Sequence, residues 1–195
     1  TSYRALIVRG GLKAGETVLI TGNGGGCGLF LIQFAKAIGA KVFFTTGQKS
    51  KLDFLEKKFN IKGVLYTEVN WSDKLKQIVP EVYDGLFDLI VDSSGGKFVS
   101  TYMDLLRPSG RYVFFGQTLG PPTVELLQKW SSIYSKSLII LGSDLGSFTE
   151  FKQIKVNDCT SDTEYRISLT KSALKDDTDP KRNVKRVMEV IVGLE

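Results

Sequence analysis

The chain has 195 residues, of which 42% are hydrophobic; this is enough for one α/β domain with a buried core but too few for two domains of ordinary size. The net charge is +5, but the sequence has no basic stripe interleaved with aromatic residues, which is typical of nucleic-acid binding. Histidine is missing, which excludes a Ser-His-Asp triad and every zinc site built with histidine. Two cysteines, Cys27 and Cys159, cannot form a four-cysteine zinc site. We therefore expect no metal and no nucleic-acid partner, and we expect a cofactor to supply the chemistry.

A glycine-rich turn is the most informative segment of the chain. Residues 16–29 predict an apolar strand, a turn and the start of an apolar helix. In a G-x-G-x-x-G frame, Gly25 and Gly28 fill the second and third glycine positions, and Asn23 replaces the first. The first amides of the helix lack partners and carry partial positive charge, so this segment predicts a site for an anionic pyrophosphate.

The end of the second predicted strand, Lys41–Thr46, indicates which nucleotide is preferred. An NAD enzyme places an acidic residue on the ribose hydroxyls about twenty residues after the loop. Here the segment Gly47–Lys51 contains two lysines instead, and the first acid, Asp53, lies in the next helix. Lys49 and Lys51 suit a 2′-phosphate, which favours NADP(H). The alternative is that both lysines are solvated charges at a helix start.

A methyltransferase is a rival interpretation of the same loop. The spacing Gly22-x-Gly24-x-Gly26 also fits enzymes that bind S-adenosylmethionine. Those enzymes use an acidic residue at the end of the second strand, which this sequence lacks. The alternative requires S-adenosylmethionine to bind more tightly than NADPH.

Helices and strands alternate along the rest of the first 150 residues. We predict, in chain order, helix Lys49–Phe59, strand Val64–Tyr66, helix Asp73–Val79, strand Leu86–Asp92, helix Lys97–Leu106, strand Arg111–Gly116, helix Val124–Ser135 and strand Ser137–Gly142. This alternation predicts an α/β fold, a Rossmann-type doubly wound parallel sheet of order 3-2-1-4-5-6. In such sheets ligands bind outside the carboxyl ends of the strands. That rule places Gly25, Gly26 and Gly28 at the pyrophosphate, and Ser94 and Gly95 near the ribose.

Six segments resemble, in order, motifs of the cofactor domain of the medium-chain dehydrogenase/reductase family, in its zinc-independent quinone oxidoreductase and enone reductase branch. The family motifs are T-A-Y-x-A-L, L-x-x-G-E-x-V-L-V, T-x-G-S-x-x-K, D-V-V-x-D-S-V-G-G, L-x-P-G-G-R and L-G-S-T-M-G-S. The matching segments are Thr1–Leu6, Leu12–Ile20, Thr46–Lys51, Phe87–Gly96, Leu106–Arg111 and Leu141–Ser147. The resemblance covers residues 1–153.

The resemblance implies one NADP-binding domain, residues 1–153, that begins within the family's entering helix. We therefore expect the chain to lack the family's N-terminal catalytic domain, either as a fragment or as a natural truncation. Residues 154–195 form a divergent tail, with a strand predicted over 165–170 and a helix over 183–194.

The resemblance also implies the cofactor, the reaction and the site. Lys51 matches the lysine that holds the 2′-phosphate, Tyr66 adds a contact at that end, and backbone groups around Gly116, Gln117, Gly142 and Ser143 hold the nicotinamide. The implied reaction is hydride transfer from NADPH to a quinone or an α,β-unsaturated carbonyl compound. The cofactor-binding residues that we predict are Asn23, Gly24, Gly25, Gly26, Cys27, Gly28, Thr46, Gly47, Gln48, Lys51, Tyr66, Ser94, Gly95, Gly116, Gln117, Gly142 and Ser143.

The expected partner is a small-molecule electron acceptor, together with a second copy of the chain or a separate catalytic domain. No secretory leader or long apolar span is present in the sequence, so we expect a cytoplasmic protein without membrane contact. A non-catalytic, NADP(H)-binding regulatory or redox-sensing module stays open as an alternative to a reductase. No residue is assigned a catalytic role.

Overall fold

The chain divides into two compact units, Thr1–Gly146 and Ser147–Glu195, in the computed structural model. The structure describes residues 1–22, 25–79, 84–157 and 166–169.

A parallel sheet of six strands forms the centre of the first unit. Its strands are β1 (Thr17–Ile20), β2 (Lys41–Thr46), β3 (Lys62–Leu65), β4 (Phe87–Asp92), β5 (Leu106–Phe114) and β6 (Ile139–Gly142). Their order in the sheet is β3-β2-β1-β4-β5-β6, and every neighbouring pair is parallel. This arrangement confirms the predicted Rossmann-type topology.

Helices precede and connect these strands. The chain enters through a π-helical segment, Arg4–Arg9, and later forms a 3₁₀ helix, Val124–Lys129. The α-helices of the unit are α1 (Gly26–Ile38), α2 (Lys49–Phe59), α3 (Trp71–Ile78), α4 (Phe98–Leu105) and α5 (Trp130–Ser135). The predicted bounds of β2 and α2 are those of the structure.

The fifth strand begins earlier than predicted. It starts at Leu106 rather than Arg111, directly after α4. The register against β4 shifts here, because Leu106 pairs with Phe87 whereas Arg111 pairs with Leu89. The extra residues form an irregularity that includes Pro108, and such a bulge accommodates a residue that cannot donate a ladder hydrogen bond.

Two helices also differ from the prediction. Helix α3 begins at Trp71, two residues early, because the indole is buried and packs edge-on against Phe98 and Tyr102. The helix predicted over Val124–Ser135 is 3₁₀ in its first half. Neither half of that segment buries a residue, so no core contact selects the α-helical spacing.

The central strands β1 and β4 are buried on both faces. Leu19 and Ile20 on β1, and Ile90 and Val91 on β4, have no exposed surface. Continuous apolar runs of this kind are expected where helices cover both sides of a parallel sheet. The carboxyl ends of these two strands therefore meet in the interior, next to the turns that follow them.

The described part of the second unit contains one short helix and one hairpin. Helix α6 (Phe148–Phe151) begins with a capping box between Ser147 and Glu150. Strands β7 (Ile154–Asn157) and β8 (Arg166–Leu169) pair antiparallel, and β8 falls within the range predicted as a strand. The helix predicted over 183–194 lies outside the described residues, and the domain boundary at residue 153 stays a prediction. Across the described ranges, no helix combines the length and hydrophobicity needed to cross a bilayer.

Candidate nucleotide-binding site

A cleft of about 520 Å³ opens at the carboxyl ends of β1, β2 and β4. Its walls come from the turns after these strands, the start of α2 and the loop after β5. The residues that line it are Gly22, Gly25, Thr46, Gly47, Gln48, Lys51, Tyr66, Ser94, Thr118 and Leu119. Most of them belong to the predicted site, and none is acidic.

Helix α1 presents unpaired amides at this edge of the sheet. Gly25 is the N-cap residue, and the first hydrogen bond after it runs from the Leu29 amide to the Gly25 carbonyl at 3.3 Å. No side chain of the described residues caps the helix. The amides of residues 26–28 therefore lack a partner within the helix and form a favourable place for an anion. The predicted contacts Asn23 and Gly24 lie outside the described residues.

The glycines of this turn have different surroundings. Gly25 is exposed, with an extended backbone, and among the described residues beyond its chain neighbours nothing lies within 4 Å of the position that a Cβ would occupy. Gly28 is buried in the first turns of α1. Gly26 is exposed, as is the free thiol of Cys27. Only Gly28 is thus enclosed by protein, whereas a side chain at Gly25 would extend into the open cleft.

The two lysines after β2 separate in the structure. Lys51 lines the cleft, and it has no ion-pair or hydrogen-bond partner in the part of the chain that the structure describes. Lys49 lies outside the lining and forms an exposed ion pair with Asp53 at 2.7 Å. The hydrogen bond from Lys49 to Asp53 raises the pKa of this lysine. Of the two lysines only Lys51 lines the cleft, and a phosphate contact by either of them stays a prediction.

Tyr66 fixes the loop that follows β2. Its amide donates to the Thr46 carbonyl at 3.1 Å, and its ring packs against Phe98 with centroids 5.3 Å apart. A Cβ on Gly47 would lie 2.5 Å from the Tyr66 hydroxyl oxygen, so this close approach requires glycine. The end of β3 is thereby held against the same cleft as the end of β2.

A buried carboxylate lies beneath the cleft, at the end of β4. Asp92 has no exposed surface and accepts hydrogen bonds from the Thr21 hydroxyl, the Ser94 amide and hydroxyl (2.8 Å each), the Gly95 amide (3.0 Å) and the Tyr112 hydroxyl (2.5 Å). Gly95 is buried in this turn and lines neither cleft described here, although the sequence suggested a ribose contact. Five donors thus satisfy a charge that would otherwise be costly to bury.

Two tyrosines beside this carboxylate are held in their protonated form. Burial raises the pKa of Tyr112 far above its ordinary value, and the charge of Asp92 and the hydrogen bond to it add to the shift. Burial also raises the pKa of Tyr102, again with a contribution from the charge of Asp92. Both hydroxyls therefore remain neutral under ordinary conditions, which preserves Tyr112 as a donor to the carboxylate.

A second cleft, of about 620 Å³, lies at the carboxyl ends of β5 and β6. Its lining residues are Arg4, Arg9, Phe114, Phe115, Gly116, Gln117, Gly142, Ser143 and Asp144. The Arg9 side chain donates to the Gly142 carbonyl at 2.9 Å, and the Ser143 amide donates to the Phe114 carbonyl at 2.9 Å. The four residues predicted to hold the nicotinamide are brought together here, on the side of the sheet centre opposite Lys51.

Sequence reasoning missed several lining residues. Thr118 and Leu119 reach the first cleft because their amides donate to the Ser93 and Ser94 carbonyls, at 3.2 and 2.8 Å. The rule that ligands lie outside strand carboxyl ends could have suggested this loop, since it follows β5. Arg9 carried no such signal, because its contact with Gly142 spans 133 positions of sequence.

No group of three or more metal-ligating side chains occurs among the residues that the structure describes. The predicted independence of zinc stays a prediction.

Comparisons with known proteins agree with this geometry. The fold is that of the cofactor domain of medium-chain dehydrogenases/reductases. The sequence profile of the family described as zinc-binding dehydrogenase matches residues 26–159, and the chain belongs to this family.

Three relatives illustrate the range of similar proteins. Quinone oxidoreductase from Homo sapiens is 34% identical over 155 residues, which cover 78% of this chain and 45% of that protein. A crystal structure of a putative alcohol dehydrogenase from Sinorhizobium meliloti 1021 has a TM-score of 0.65 at 30% identity, covering 77% of this chain and 40% of that one. A putative enoyl reductase domain of a polyketide synthase has a TM-score of 0.59 at 27% identity, covering 74% of this chain and 75% of that one. The chain thus spans less than half the length of the human relative.

We expect the Tyr112→Phe variant to lose stability less steeply than the original protein as the pH rises above about 10. Because the pKa of Tyr112 is higher in the folded state, the unfolded state loses this proton first as the pH rises past about 10, and the free energy of unfolding then falls by up to about 1.4 kcal/mol per pH unit. The variant lacks this proton, so its stability should fall less steeply. Urea unfolding between pH 8 and 11 measures the difference, and parallel curves for the two proteins would contradict the assignment.

Proposed function

We propose that the chain is the cofactor-binding part of an NADPH-dependent oxidoreductase that transfers hydride to a quinone or an α,β-unsaturated carbonyl compound. The cleft at the carboxyl ends of β1, β2 and β4 carries this proposal, because it combines the first amides of α1, which lack partners within the helix, with the cation of Lys51, which has no partner among the described residues. The names of the human and polyketide synthase relatives support the two acceptor classes. The full activity is proposed for a protein of which this chain is one part.

The residues of both clefts fit NADPH. Open space at Gly25 leaves room for a pyrophosphate beside the α1 amides, and Lys51 would hold the 2′-phosphate. The backbone around Gly116, Gln117 and Gly142 would orient the nicotinamide in the second cleft. Bound NADPH would supply the hydride, and the backbone of the second cleft would position it.

The methyltransferase alternative has less support. A site for S-adenosylmethionine would need an acidic residue at the end of β2, where the structure has Gly47 and Gln48. The cation of Lys51 on the same wall favours a phosphate instead.

Lys51→Ala should weaken NADPH binding by about ten- to a hundredfold and leave NADH binding unchanged. A hydrogen bond to a charged group contributes roughly 1.5–3 kcal/mol, and only NADPH has the 2′-phosphate. Lys49→Ala is the matched control, because this lysine lies two residues away and is paired with Asp53. Its affinity for both nucleotides should stay within about twofold of the original. Calorimetric titration measures all three proteins, and equal losses of NADPH and NADH in Lys51→Ala would contradict the phosphate assignment.

Gly25→Val and Gly28→Val should separate binding from stability. A Cβ at Gly25 has no described atom within 4 Å beyond the neighbouring residues, and valine there would fill the space proposed for the pyrophosphate, so NADPH binding should be lost while the melting temperature stays nearly unchanged. Valine at the buried Gly28 should cost about 1–3 kcal/mol of stability through overpacking. Thermal unfolding and NADPH titration provide the two readouts. Identical losses of stability and affinity in both variants would show that the glycines do not have these separate roles.

NADPH consumption distinguishes a reductase from a regulatory module. Oxidation of NADPH in the presence of a quinone or an α,β-unsaturated ketone, above the rate without protein, would support hydride transfer and identify the acceptor class. Gly25→Val is the control, because it should remove turnover together with binding. The chain alone is expected to show little turnover, so the assay uses the full-length protein, and tight NADPH binding by that protein without consumption of either acceptor would favour the non-catalytic alternative.

A further inference from the structure

The carboxylate of Asp92 connects the two turns that form opposite sides of the first cleft. Thr21 immediately precedes the glycine turn after β1, whereas Ser94 and Gly95 belong to the turn after β4, and all three donate to this one side chain. Tyr112 donates to it from β5. The relative position of the turns thus depends on a group that does not itself line the cleft.

The proton of the Ser94 hydroxyl determines what Ser94 can offer to a ligand. A serine hydroxyl has one proton and two lone pairs. The Ser94 hydroxyl donates to Asp92 at 2.8 Å, and the Thr21 hydroxyl beside it, 3.0 Å away, also donates to the same carboxylate oxygen. Both protons are used inside the protein. The Ser94 oxygen can therefore offer a group in the cleft only a lone pair, beside the contacts that it makes with the Thr21 and Tyr102 hydroxyls. A ribose hydroxyl can donate to that lone pair, whereas an ionised phosphate oxygen cannot.

The same carboxylate gives the cleft an electrical polarity. The α1 amides and Lys51 make one side positive, whereas the negative charge of Asp92 lies beneath Ser94 on the other. Phosphates are attracted to the first side and repelled from the second.

The turns after β1 and β4 pack closely, so their positions depend on the hydrogen bonds that Asp92 accepts. A Cβ on Gly22, which has a φ of +65°, would lie 2.6 Å from the Ser93 hydroxyl oxygen. The Ser93 hydroxyl donates to the Thr21 carbonyl at 3.3 Å, and the Leu119 amide donates to the Ser94 carbonyl at 2.8 Å. A shift at either end of the Asp92 bonds would therefore move three lining segments.

We propose that Asp92 is a positioning residue for nucleotide binding: it presents the Ser94 oxygen as an acceptor for a ribose hydroxyl and holds the turn after β1 against the turn after β4. This inference rests on the proposed function. It assigns to a fully buried side chain a part in affinity that is separate from its part in stability.

The test compares Asp92→Asn with Asp88→Asn. Asp88 lies on the same strand and accepts from Thr17 of β1, through its amide at 2.7 Å and its hydroxyl at 2.9 Å, while Arg107 pairs with it at 2.8 Å. The two aspartates thus join the same two strands at opposite ends, and only Asp92 is beside the cleft. Both variants lose bonds between β1 and β4 and should lower the melting temperature. Asp92→Asn should also weaken NADPH at least tenfold, and Asp88→Asn should change it less than twofold.

Ser94→Ala provides a second variant in case Asp92→Asn does not fold. It removes only the hydroxyl, and it should weaken NADPH by about tenfold at a temperature where the variant is fully folded. Dissociation constants are measured by titration and compared with melting temperatures from the same preparations. Wild-type affinity in folded Asp92→Asn or in Ser94→Ala would overturn the proposal, as would an equal loss in Asp88→Asn. Failure of the unmodified protein to bind NADPH would instead refute the proposed function on which the inference rests.

Discussion

The structure depends on a buried negative charge at the point where the central strands of the sheet end. Asp92 is fully enclosed, and leaving such a carboxylate without donors would cost several kcal/mol. Its donors come from the turn after β1, the turn after β4 and the middle of β5. Because these segments all donate hydrogen bonds to one carboxylate, none can move away without removing a donor from it. The cleft is therefore built on a fixed base, although most of its walls are loops.

The opposite end of the same strands carries a carboxylate with different partners. Asp88 and Thr17 repeat the carboxylate and threonine pair there, with Arg107 neutralising the charge. At the Asp92 end no arginine is bonded to the carboxylate in the described part of the chain, and its partners are hydroxyls and amides. Parallel strands also direct the N-terminus of α1 toward this end. The positive ends of the α1 amides and the negative Asp92 carboxylate thus lie on different sides of the same cleft, which suits a ligand with phosphates at one side and hydroxyls at the other.

The sequence predicted those features that follow from local periodicity and from glycine. The bounds of β2 and α2 came from an apolar run and an amphipathic spacing, and Lys51 came from its position after β2. Contacts between distant segments were not predictable in this way. Lys49 and Lys51 both follow β2 in the sequence, but only the structure shows that Asp53 pairs with the first. Likewise, the sequence shows Asp92 only as the last residue of a strand, and its hydrogen bonds with Thr21 and Tyr112 appear only in the structure.

Cofactor choice and acceptor choice have different physical origins in this fold. In the proposed function, a preference for a 2′-phosphate would be carried by Lys51 at the start of α2, so it could change without disturbing the sheet. At Gly116 and Gly142 the second cleft presents backbone, and Gly142 is held by the Arg9 bond and by the pairing of β5 with β6. Backbone groups at these positions do not vary with sequence as side chains do, so this surface can serve relatives that reduce different acceptors. A shared cofactor half is then compatible with the variety of reductases and dehydrogenases that the chain resembles, because the groups that distinguish acceptors need not be the groups that hold the nucleotide.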